Sequence, residues 1–564
     1  MILQALYEYY QKNKDRLPVY GREKKEIAFL IVIDHDGNFI RFEDRRIDKN
    51  HANTFLVKKA VGRTSTPCAN YLYDNSAYVL GVSDKHDNEK YFKAFKQSID
   101  SIHKKAPDNA DISAVQNFYQ QDYTSLLTQI KKDPLWIDIE KNLNKKYSIF
   151  SFLLQEATQI VAEKEELLYL CMEDDSENDT NNICLISGER GHLVETTTAT
   201  MIPGSQATAK LVSFQVNSGY DSYGKKKGFN APISTKAEFA YTTALNHLLH
   251  SNSRNKFIIG NRTFLFWSSN TEEAGEQAEK SLWNMLGLKD DDNPDKNIEQ
   301  VKKVFLSIYT GCLNTTLDDK FYILGLAPNS ARIAVSYWAE IPLREFAGLI
   351  LKHFNDMEID SNKEHKPYTG LHSILASVTL GGKSSDATPN LPDAVVKSIF
   401  QGLPYPQTLF SSCIRRIRAE QNISINRAAI IKAYLNRLND NNKQIQIMLD
   451  KDNTNQGYLC GRLFAVLDKI QGEANGQHSI KERYMNAASA TPAAVFATIL
   501  NLSSHHSEKL SEGRIVIFEK IKQEIIDKIS ADGFPAHLDL QDQGRFFVGY
   551  YHQSQDFYKT KEDK

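Results

Sequence analysis

The order of apolar and polar residues predicts two kinds of region along the chain. Up to about residue 340, stretches with helical periodicity alternate with short apolar runs bounded by turn residues, which predicts helices and β-hairpins together. After Ile341 nearly every segment has the 3.6-residue period of an amphipathic helix, with short polar joins. The expected fold class is therefore α+β, with a mixed N-terminal region of β-hairpins and helices followed by a C-terminal helical bundle.

Three pairs of apolar runs predict the hairpins. The first pair, IAFLIVI and FIRFEDRR, is joined by a turn in which Gly37 and Asn38 tolerate a tight reversal. The second pair lies in FIIGNRTFLFW (257–267), and the third lies in FYILGLAPNSARIAVSYW (321–338). Apolar stripes predict helices over Lys236–Leu249, Leu459–Ile470 and Phe518–Ile529. We expect three segments: 1–340 as the α+β region, 341–447 as a helical connector and 448–564 as the helical bundle.

Composition places the chain among ordinary globular proteins. Its 564 residues are 41% hydrophobic, and a formal net charge of -2 excludes a global positive field, so any basic surface must be local. The six cysteines lack C-x-x-C spacing, which predicts buried thiols in a reducing cytoplasm. The opening segment has tyrosines and charges where a signal peptide is apolar, and runs such as Ala28–Ile33 are too short to cross a membrane. We therefore expect a cytoplasmic protein without a membrane partner.

Common catalytic motifs are missing from the sequence. It contains no G-x-S-x-G, H-E-x-x-H or G-x-G-x-x-G. Gly381-Gly382-Lys383-Ser384 matches the end of a phosphate-binding loop, but Ser377 stands where that motif needs glycine, and the preceding segment reads as a helix end. These observations predict no enzyme activity and no cofactor.

Two adjacent His-Asp pairs leave one enzymatic alternative open. His35-Asp36 and His86-Asp87 are the kind of pair that metal-dependent phosphohydrolases use as ligands. Each lies in a polar turn region, where a solvated imidazole is the simpler interpretation. The alternative function is a metal-dependent nuclease that uses these pairs.

Local basic segments say more about function than the missing catalytic motifs and the His-Asp pairs do. Lys225, Lys226 and Lys227 lie between Gly224 and Gly228, so three ammonium groups share one glycine-bracketed loop. This composition suits a nucleic-acid contact, because lysine neutralises phosphates and glycine lets a backbone approach closely. Side chains that can hydrogen-bond to or stack on bases are close in sequence: Asn217, Tyr220, Tyr223 and Asn230. A simple solvated loop is the competing interpretation.

Two further clusters have the same character. The first holds cations and hydroxyls suited to phosphate oxygens, or else is a charged strand edge; its members are Lys58, Lys59, Arg63 and Thr64. The second is a predicted helix with Arg415, Arg416 and Arg418, in a segment, Val395–Arg437, with seven basic residues and one acidic residue. It resembles a phosphate-tracking surface, although a basic helix also suits an acidic protein partner.

The chain as a whole resembles a known family, the large subunit of the type I-C CRISPR surveillance complex, Cascade (the Cas-eight-c family). Ordered blocks from end to end carry the resemblance: MILQALYEYY, FLIVIDHDGNFIRFEDRR, RTSTPCANYLYDNSAYVLG, CLISGERG, LVSFQVNSGYDSYGKKKGFNAPIS, FAYTTALNHLL, NQGYLCGRLFAVLDKIQ and GRFFVGYYHQSQDFY. Several blocks in order are far more specific than one short motif.

The resemblance implies a DNA-recognition subunit without a catalytic centre. In such complexes a guide RNA reads the target by base pairing, while the large subunit recognises the protospacer-adjacent motif in duplex DNA. It also assists unwinding and R-loop formation and recruits the helicase-nuclease of this antiviral defence system. The implied partners are CRISPR RNA, target DNA, and the backbone and guide-end subunits of Cascade. A pure protein scaffold is a third interpretation.

The resemblance also gives the basic segments candidate roles. It places Lys225, Lys226 and Lys227 near duplex phosphates, and Asn217, Tyr220, Tyr223 and Asn230 near base edges or as a wedge. It adds Asn70 and Asn75 of the ANYLYDN block to the cluster around Lys58. In this family the C-terminal helical part is also made separately, as a small subunit, from an internal start; Met448 is the expected start here, with Met485 as the rival.

Overall fold

The computed structural model describes residues 1–48, 51–61, 66–83, 88–143, 148–170, 182–214, 224–250, 252–286, 298–361, 370–438, 444–476 and 479–559. The chain forms two compact units. The first comprises Leu3–Thr198 and Ser213–Leu245, and the second comprises Ala199–Val212 and Asn246–Lys564. The segment borders expected at residues 340 and 447 both lie inside the second unit, so the division into three functional segments stays a prediction.

The first unit combines short helices with two small sheets. Its helices are α1 (Ile2–Lys12), α2 (Ser76–Val79), α3 (Glu89–Lys105), α4 (Ala110–Gln120), α5 (Tyr123–Ile130), α6 (Trp136–Glu140), α7 (Glu165–Tyr169) and the start of α8 (Thr235–Leu249). Its strands are β1 (Arg22–Glu26), β2 (Phe29–Ile33), β3 (Phe39–Asp44), β4 (Thr54–Lys58), β5 (Tyr73–Asn75) and β6 (Ile149–Leu154).

The central sheet of the first unit has the strand order β3-β2-β6-β5. The predicted hairpin is confirmed: β2 pairs antiparallel with β3, and Gly37 in its turn has a φ of 87°. On its other side β2 runs parallel to β6, and all five residues of β2 are buried. This explains why β2 is a continuous apolar run, since a strand covered on both faces has no polar side. The strands β1 and β4 form a separate two-stranded sheet.

The second unit contains one sheet and most of the helices. Its strands are β7 (Lys256–Ile259), β8 (Arg262–Ser268), β9 (Lys320–Asn329) and β10 (Arg332–Pro342). Its helices are α9 (Glu273–Leu286), α10 (Ile298–Thr310), α11 (Leu343–Met357), α12 (Leu371–Ala376), α13 (Leu391–Phe400), α14 (Gln407–Glu420), α15 (Ile425–Leu438), α16 (Gln456–Asn475), α17 (Ser479–Ala488), α18 (Pro492–Ser507), α19 (Glu512–Ile526) and α20 (Leu540–Asp556).

The sheet of the second unit is an antiparallel meander with the strand order β10-β9-β8-β7. Both remaining hairpins are confirmed, because β7 pairs with β8 and β9 pairs with β10. Beyond β10 the described residues form helices and connections but no strand. The expected α+β fold class with a helical C-terminal region is therefore confirmed.

The helix α16 is the centre of the C-terminal bundle. Residues on all sides of it are buried, and it packs against α17, α18, α19 and α20. Its approach to α20 is very close: a Cβ added at Gly461 would lie 1.9 Å from the carbonyl oxygen of Phe546. Gly457 meets Asp542 in the same way, and Gly549 of α20 meets Tyr458. Glycine is therefore needed here for space.

The expectation that all the cysteines are buried thiols is wrong for two of them. Cys184, Cys413 and Cys460 are buried, whereas Cys68 and Cys312 are exposed, and Cys171 lies outside the described residues. The two exposed thiols lie in loops, Cys312 just after the end of α10, where the apolar periodicity that buries a side chain has ended. Burial raises the pKa values of Cys413 and Cys460 to about 12, so both are neutral thiols.

We expect Gly461→Ala to destabilise the second unit by about 1–3 kcal/mol or more, because the new methyl group would force α16 and α20 apart. The matched control is Gly513→Ala in α19, where a Cβ would meet no atom within 4 Å. There the substitution should be neutral or stabilise the helix by up to about 1 kcal/mol. Urea unfolding followed by circular dichroism measures both; equal midpoints for the two variants would contradict the close approach.

Candidate nucleic-acid interface

The lysine loop, defined here as residues 224–230, is fixed at one end by a tight backbone contact. Gly228 donates its N–H to the carbonyl oxygen of Glu195 at 3.0 Å. A Cβ at Gly228 would lie 2.3 Å from the carbonyl oxygen of Val194, so only glycine fits this anchor. The amide of Asn230 donates to the carbonyl oxygens of Lys225 and Lys227, both at 3.1 Å. The backbone of the loop is therefore held at its base and braced from within.

The three lysines of this loop differ in their surroundings. Lys227, whose φ is 45°, forms an ion pair with Glu195 at 2.6 Å. Lys225 and Lys226 are exposed and form no ion pair within the described part of the chain. Their ammonium groups are therefore available to phosphate oxygens, whereas that of Lys227 helps to hold the loop.

An aromatic side chain that sequence reasoning missed lies in the same loop. Phe229 is 40% exposed, and its N–H donates to the carbonyl oxygen of Lys226 at 3.0 Å. An exposed ring beside two cations can stack on a base or wedge between bases. Its position directly after Gly228 in the GKKKGFN run was the available signal. The predicted residues Asn217, Tyr220 and Tyr223 lie outside the described residues.

The segment that carries this loop is itself well ordered by hydrogen bonds. Val194 donates its N–H to Ile233 at 2.9 Å, and the N–H of Ser234 lies 3.3 Å from the sulfur of Cys184. Burial alone would raise the pKa of the Cys184 thiol, but the hydrogen bonds from Ser234 and Ser187 outweigh it and lower this pKa to about 7. The sulfur is thus a hydrogen-bond acceptor that links residue 184 to residue 234, which follows the loop in sequence.

The cluster at Lys58 and Lys59 faces inward more than its sequence indicates. The ammonium of Lys59 donates to Thr198 Oγ1 at 2.8 Å and lies 3.4 Å from the carboxylate of Glu238, which is 5% exposed. Lys58 lies over the ring of Tyr71 at 5.5 Å. Lys59 therefore neutralises a buried carboxylate, and its removal would leave that charge uncompensated. Arg63 and Thr64 lie outside the described residues.

The two asparagines that joined this cluster have local structural contacts. Asn70 is buried, and its side-chain oxygen accepts from the N–H of Val61 at 3.0 Å. Asn75 caps α2 by accepting from the N–H of Ala77 at 3.1 Å. Asp74 between them is buried and accepts from the N–H groups of both. The structure thus places these side chains where they shape the turn into α2.

The arginines of α14 point in different directions. Arg415 is exposed and donates to Ser412 at 2.9 Å. Arg416 forms an ion pair with Glu420 at 3.4 Å, one turn along the same helix. Arg418 reaches Gln543 of α20 at 2.8 Å, and burial lowers its pKa. Arg415 is therefore the member of this set most open to a phosphate.

The wider basic stripe from Val395 to Arg437 is not one surface. Arg427, Lys432 and Arg437 have buried side chains. Arg427 pairs with Glu420 at 2.5 Å, and Arg437 pairs with Asp356 at 2.6 Å. Lys432 donates to the carbonyl oxygen of Asn355 at 3.5 Å. The interpretation of the whole segment as a phosphate-tracking surface is wrong for these three, because their cations contact carboxylates and carbonyl oxygens of the protein itself.

Within the described residues, the fold brings no cluster of further metal-ligating side chains to the His-Asp pair at residues 35 and 36. His35 and Asp36 are exposed in the turn between β2 and β3, where Asp34 accepts hydrogen bonds from the N–H groups of Asp36 and Asn38. His86 and Asp87 lie outside the described residues. Within the described ranges, no three His, Cys, Asp or Glu side chains come together as a possible metal site. Nor does any helix of those ranges have the length and apolar character to cross a membrane.

Comparison with known proteins identifies the family of the chain. The model of one family, described as CRISPR-associated protein (Cas_Csd1), matches residues 6–558. No curated protein matches the sequence. The family match covers both compact units and every predicted site cluster. The chain therefore belongs to the CRISPR-associated protein family Cas_Csd1, a family of Cascade-type subunits.

Proposed function

We propose that the chain is the large subunit of a type I-C Cascade complex and that it recognises the protospacer-adjacent motif in duplex DNA. In this role it also assists duplex unwinding and R-loop formation and recruits the helicase-nuclease. Membership of a CRISPR-associated family over nearly the whole chain supports the general role in an effector complex. The observation that carries DNA contact is the pair of exposed cations, Lys225 and Lys226, on a loop with a fixed base.

A lysine on a fixed loop binds a phosphate at a lower cost in entropy than a lysine on a mobile loop. A lysine on a long unanchored loop must be ordered when it binds, which offsets part of the gain from each phosphate contact. Here the anchor at Gly228 and the amide of Asn230 hold the backbone beforehand. Phe229 adds an exposed ring beside the two ammonium groups, which suits a wedge at the point where a duplex opens. Arg415 is a second proposed phosphate contact.

Replacing both Lys225 and Lys226 with alanine should weaken binding to every duplex sequence. The slope of log affinity against log salt should fall by roughly 0.9 for each lost phosphate contact. Fluorescence anisotropy of the assembled complex on labelled duplexes, with and without the adjacent motif, measures both effects across a salt series. The preference for the motif should change little, because phosphate contacts carry no base identity.

The matched control replaces Lys131 and Lys132 with alanine, since these are also adjacent, exposed lysines of the first unit. This variant loses the same formal charge and should keep nearly the affinity of the parent complex. If both double variants lose affinity equally, a general charge effect explains the result. If neither variant loses affinity, the lysine loop does not contact DNA, and the result favours the interpretation of the chain as a protein scaffold.

The C-terminal helices also support a separate small subunit that begins at Met448. Met448 is exposed and precedes α16, so a product from Met448 to Lys564 keeps α16 through α20, the helices that pack on one another. Met485 is buried within α17, and a start there would discard the central helix α16. The apolar surface left without α16 would have no internal cover.

Cells that carry only this gene should therefore yield a second product whose mass corresponds to a start at Met448. Intact-mass spectrometry of the purified complex identifies it. Met448→Leu should abolish this product and leave the full chain intact, because residue 448 is exposed. Met485→Leu is the control and should leave the small product in place. A product that persists in the first variant and vanishes in the second would contradict the proposal.

We propose further that the chain has no catalytic centre and that DNA cleavage belongs to the recruited partner. Purified chain incubated with duplex DNA and manganese should therefore leave the DNA intact. The control variants replace His35 and Asp36, or His86 and Asp87, with alanine. Cleavage by the parent chain that either pair of substitutions abolishes would favour the nuclease alternative.

A further inference from the structure

An open cleft of about 640 Å³ lies in the second unit, and none of its residues belongs to the lysine loop. One side is the edge strand β7, and the others are α9, α12 and the turn that follows α12. The lining residues are Lys256, Phe257, Ile258, Trp283, His372, Ser373, Ala376, Gly382, Lys383, Ser384 and Ser385. The cleft is thus built from three separate parts of the chain.

The polar side chains of the cleft are cations, hydroxyls and the imidazole of His372. Lys256 and Lys383 supply two ammonium groups, and Ser373, Ser384 and Ser385 supply three hydroxyls, of which that of Ser385 donates to the neighbouring carboxylate of Asp386 at 3.1 Å. None of the described residues that line the cleft carries a carboxylate. A concave site with positive charge and several donors favours a ligand with a concentrated negative charge, and phosphate is the common one.

The turn beneath these hydroxyls has a fixed shape. Gly381 and Gly382 both have positive φ, at 83° and 70°, so their conformation requires glycine although space does not. The hydroxyl of Thr379 donates to the carbonyl oxygen of Lys383 at 2.9 Å. His372 and Ser384 are joined by a hydrogen bond of 2.9 Å between Nδ1 and Oγ. The two glycines and these bonds hold Lys383 and the serines at the edge of the cleft.

The opposite wall is apolar and aromatic. Trp283 of α9 is partly exposed, and Ile258 of β7 is 41% exposed. Lys256 projects from the same strand, and its ammonium donates to the carbonyl oxygen of Leu249 at 2.7 Å, which leaves two further N–H donors. An indole ring in the same cleft as phosphate-binding groups matches the two halves of a nucleotide, a planar base and an anion.

We propose that this cleft binds a single nucleotide unit, with its phosphate at Lys256, Lys383 and the serine turn and its base against Trp283 and Ile258. The site is not a phosphate-binding loop of the nucleotide-hydrolase type, because no strand leads into Gly381 and Ser377 replaces the first glycine. It is additional to the proposed contact with duplex DNA. The nucleotide comes either from a single nucleic-acid strand or from the free pool, since both carry the same base and phosphate.

The test uses the full chain with Lys225 and Lys226 replaced by alanine, so that failure of the proposed duplex contact cannot affect the result. Equilibrium dialysis measures binding of thymidine 5′-monophosphate, thymidine and a five-residue oligothymidylate. Thymidine 5′-monophosphate should bind about tenfold or more tightly than thymidine, which lacks the phosphate. A tighter oligothymidylate identifies a strand as the source, and equal affinities identify the free nucleotide; both support the site.

Variants of the cleft localise the effect. Lys383→Ala and Lys256→Gln should each weaken binding of thymidine 5′-monophosphate by about tenfold, since each removes one cation from the phosphate. Lys383 is exposed, so its loss should not affect folding, and glutamine at residue 256 keeps a donor for Leu249. The control is Lys303→Ala on the exposed face of α10, which should bind as the parent does.

Three outcomes would overturn the proposal. The first is equal binding of thymidine and its monophosphate, which would remove the phosphate from the interaction. The second is an equal loss of binding in Lys383→Ala and Lys303→Ala, which would indicate a general charge effect. The third is tighter binding of an acidic pentapeptide than of the nucleotide, which would make the edge of β7 a peptide site.

Discussion

The second unit depends on the close approach of α16 and α20. Backbone carbonyls of α20 occupy the positions that side chains would fill at Gly457 and Gly461, so the two helices fit in one register only. Arg462 of α16 is fully buried, donates to Gln553 of α20 and pairs with Glu524 of α19. Loss of these partners would leave a buried cation uncompensated and destabilise the fold by roughly 3–5 kcal/mol. A slipped register of the two helices is therefore strongly disfavoured. The helices α14, α15, α17, α18 and α19 pack around this pair.

The fold was largely predictable because its elements follow local periodicity. The hairpin of β2 and β3 and the stripe of α16 both follow from the spacing of apolar residues over short stretches. The partner of a charged side chain has no such local signal. Lys59 is neutralised by Glu238, 179 residues away in sequence, and Arg418 reaches Gln543, 125 residues away. The sequence therefore locates the cations but does not separate surface charges from internal ones.

Two glycine-rich segments also have neighbours, distant in sequence, that the sequence does not reveal. Gly381 and Gly382 fail the motif for nucleotide phosphates, and the sequence therefore predicts no phosphate-binding loop there. The cleft beside them becomes visible only when β7 brings Lys256 to the same place. At Gly228, by contrast, the sequence interpretation was that glycine lets the loop backbone approach a nucleic acid, whereas the close approach in the structure is to the backbone of residues 194 and 195.

The attachment at Gly228 fixes the position of the lysine loop, whereas the exposed tip sets the charge and shape of the loop. Residues 224–226 form its exposed tip, where substitutions change charge and shape without entering the protein interior. Residue 228 cannot change without displacing two backbone carbonyls. The charge and shape of the tip can therefore differ between related chains while its position on the protein stays constant.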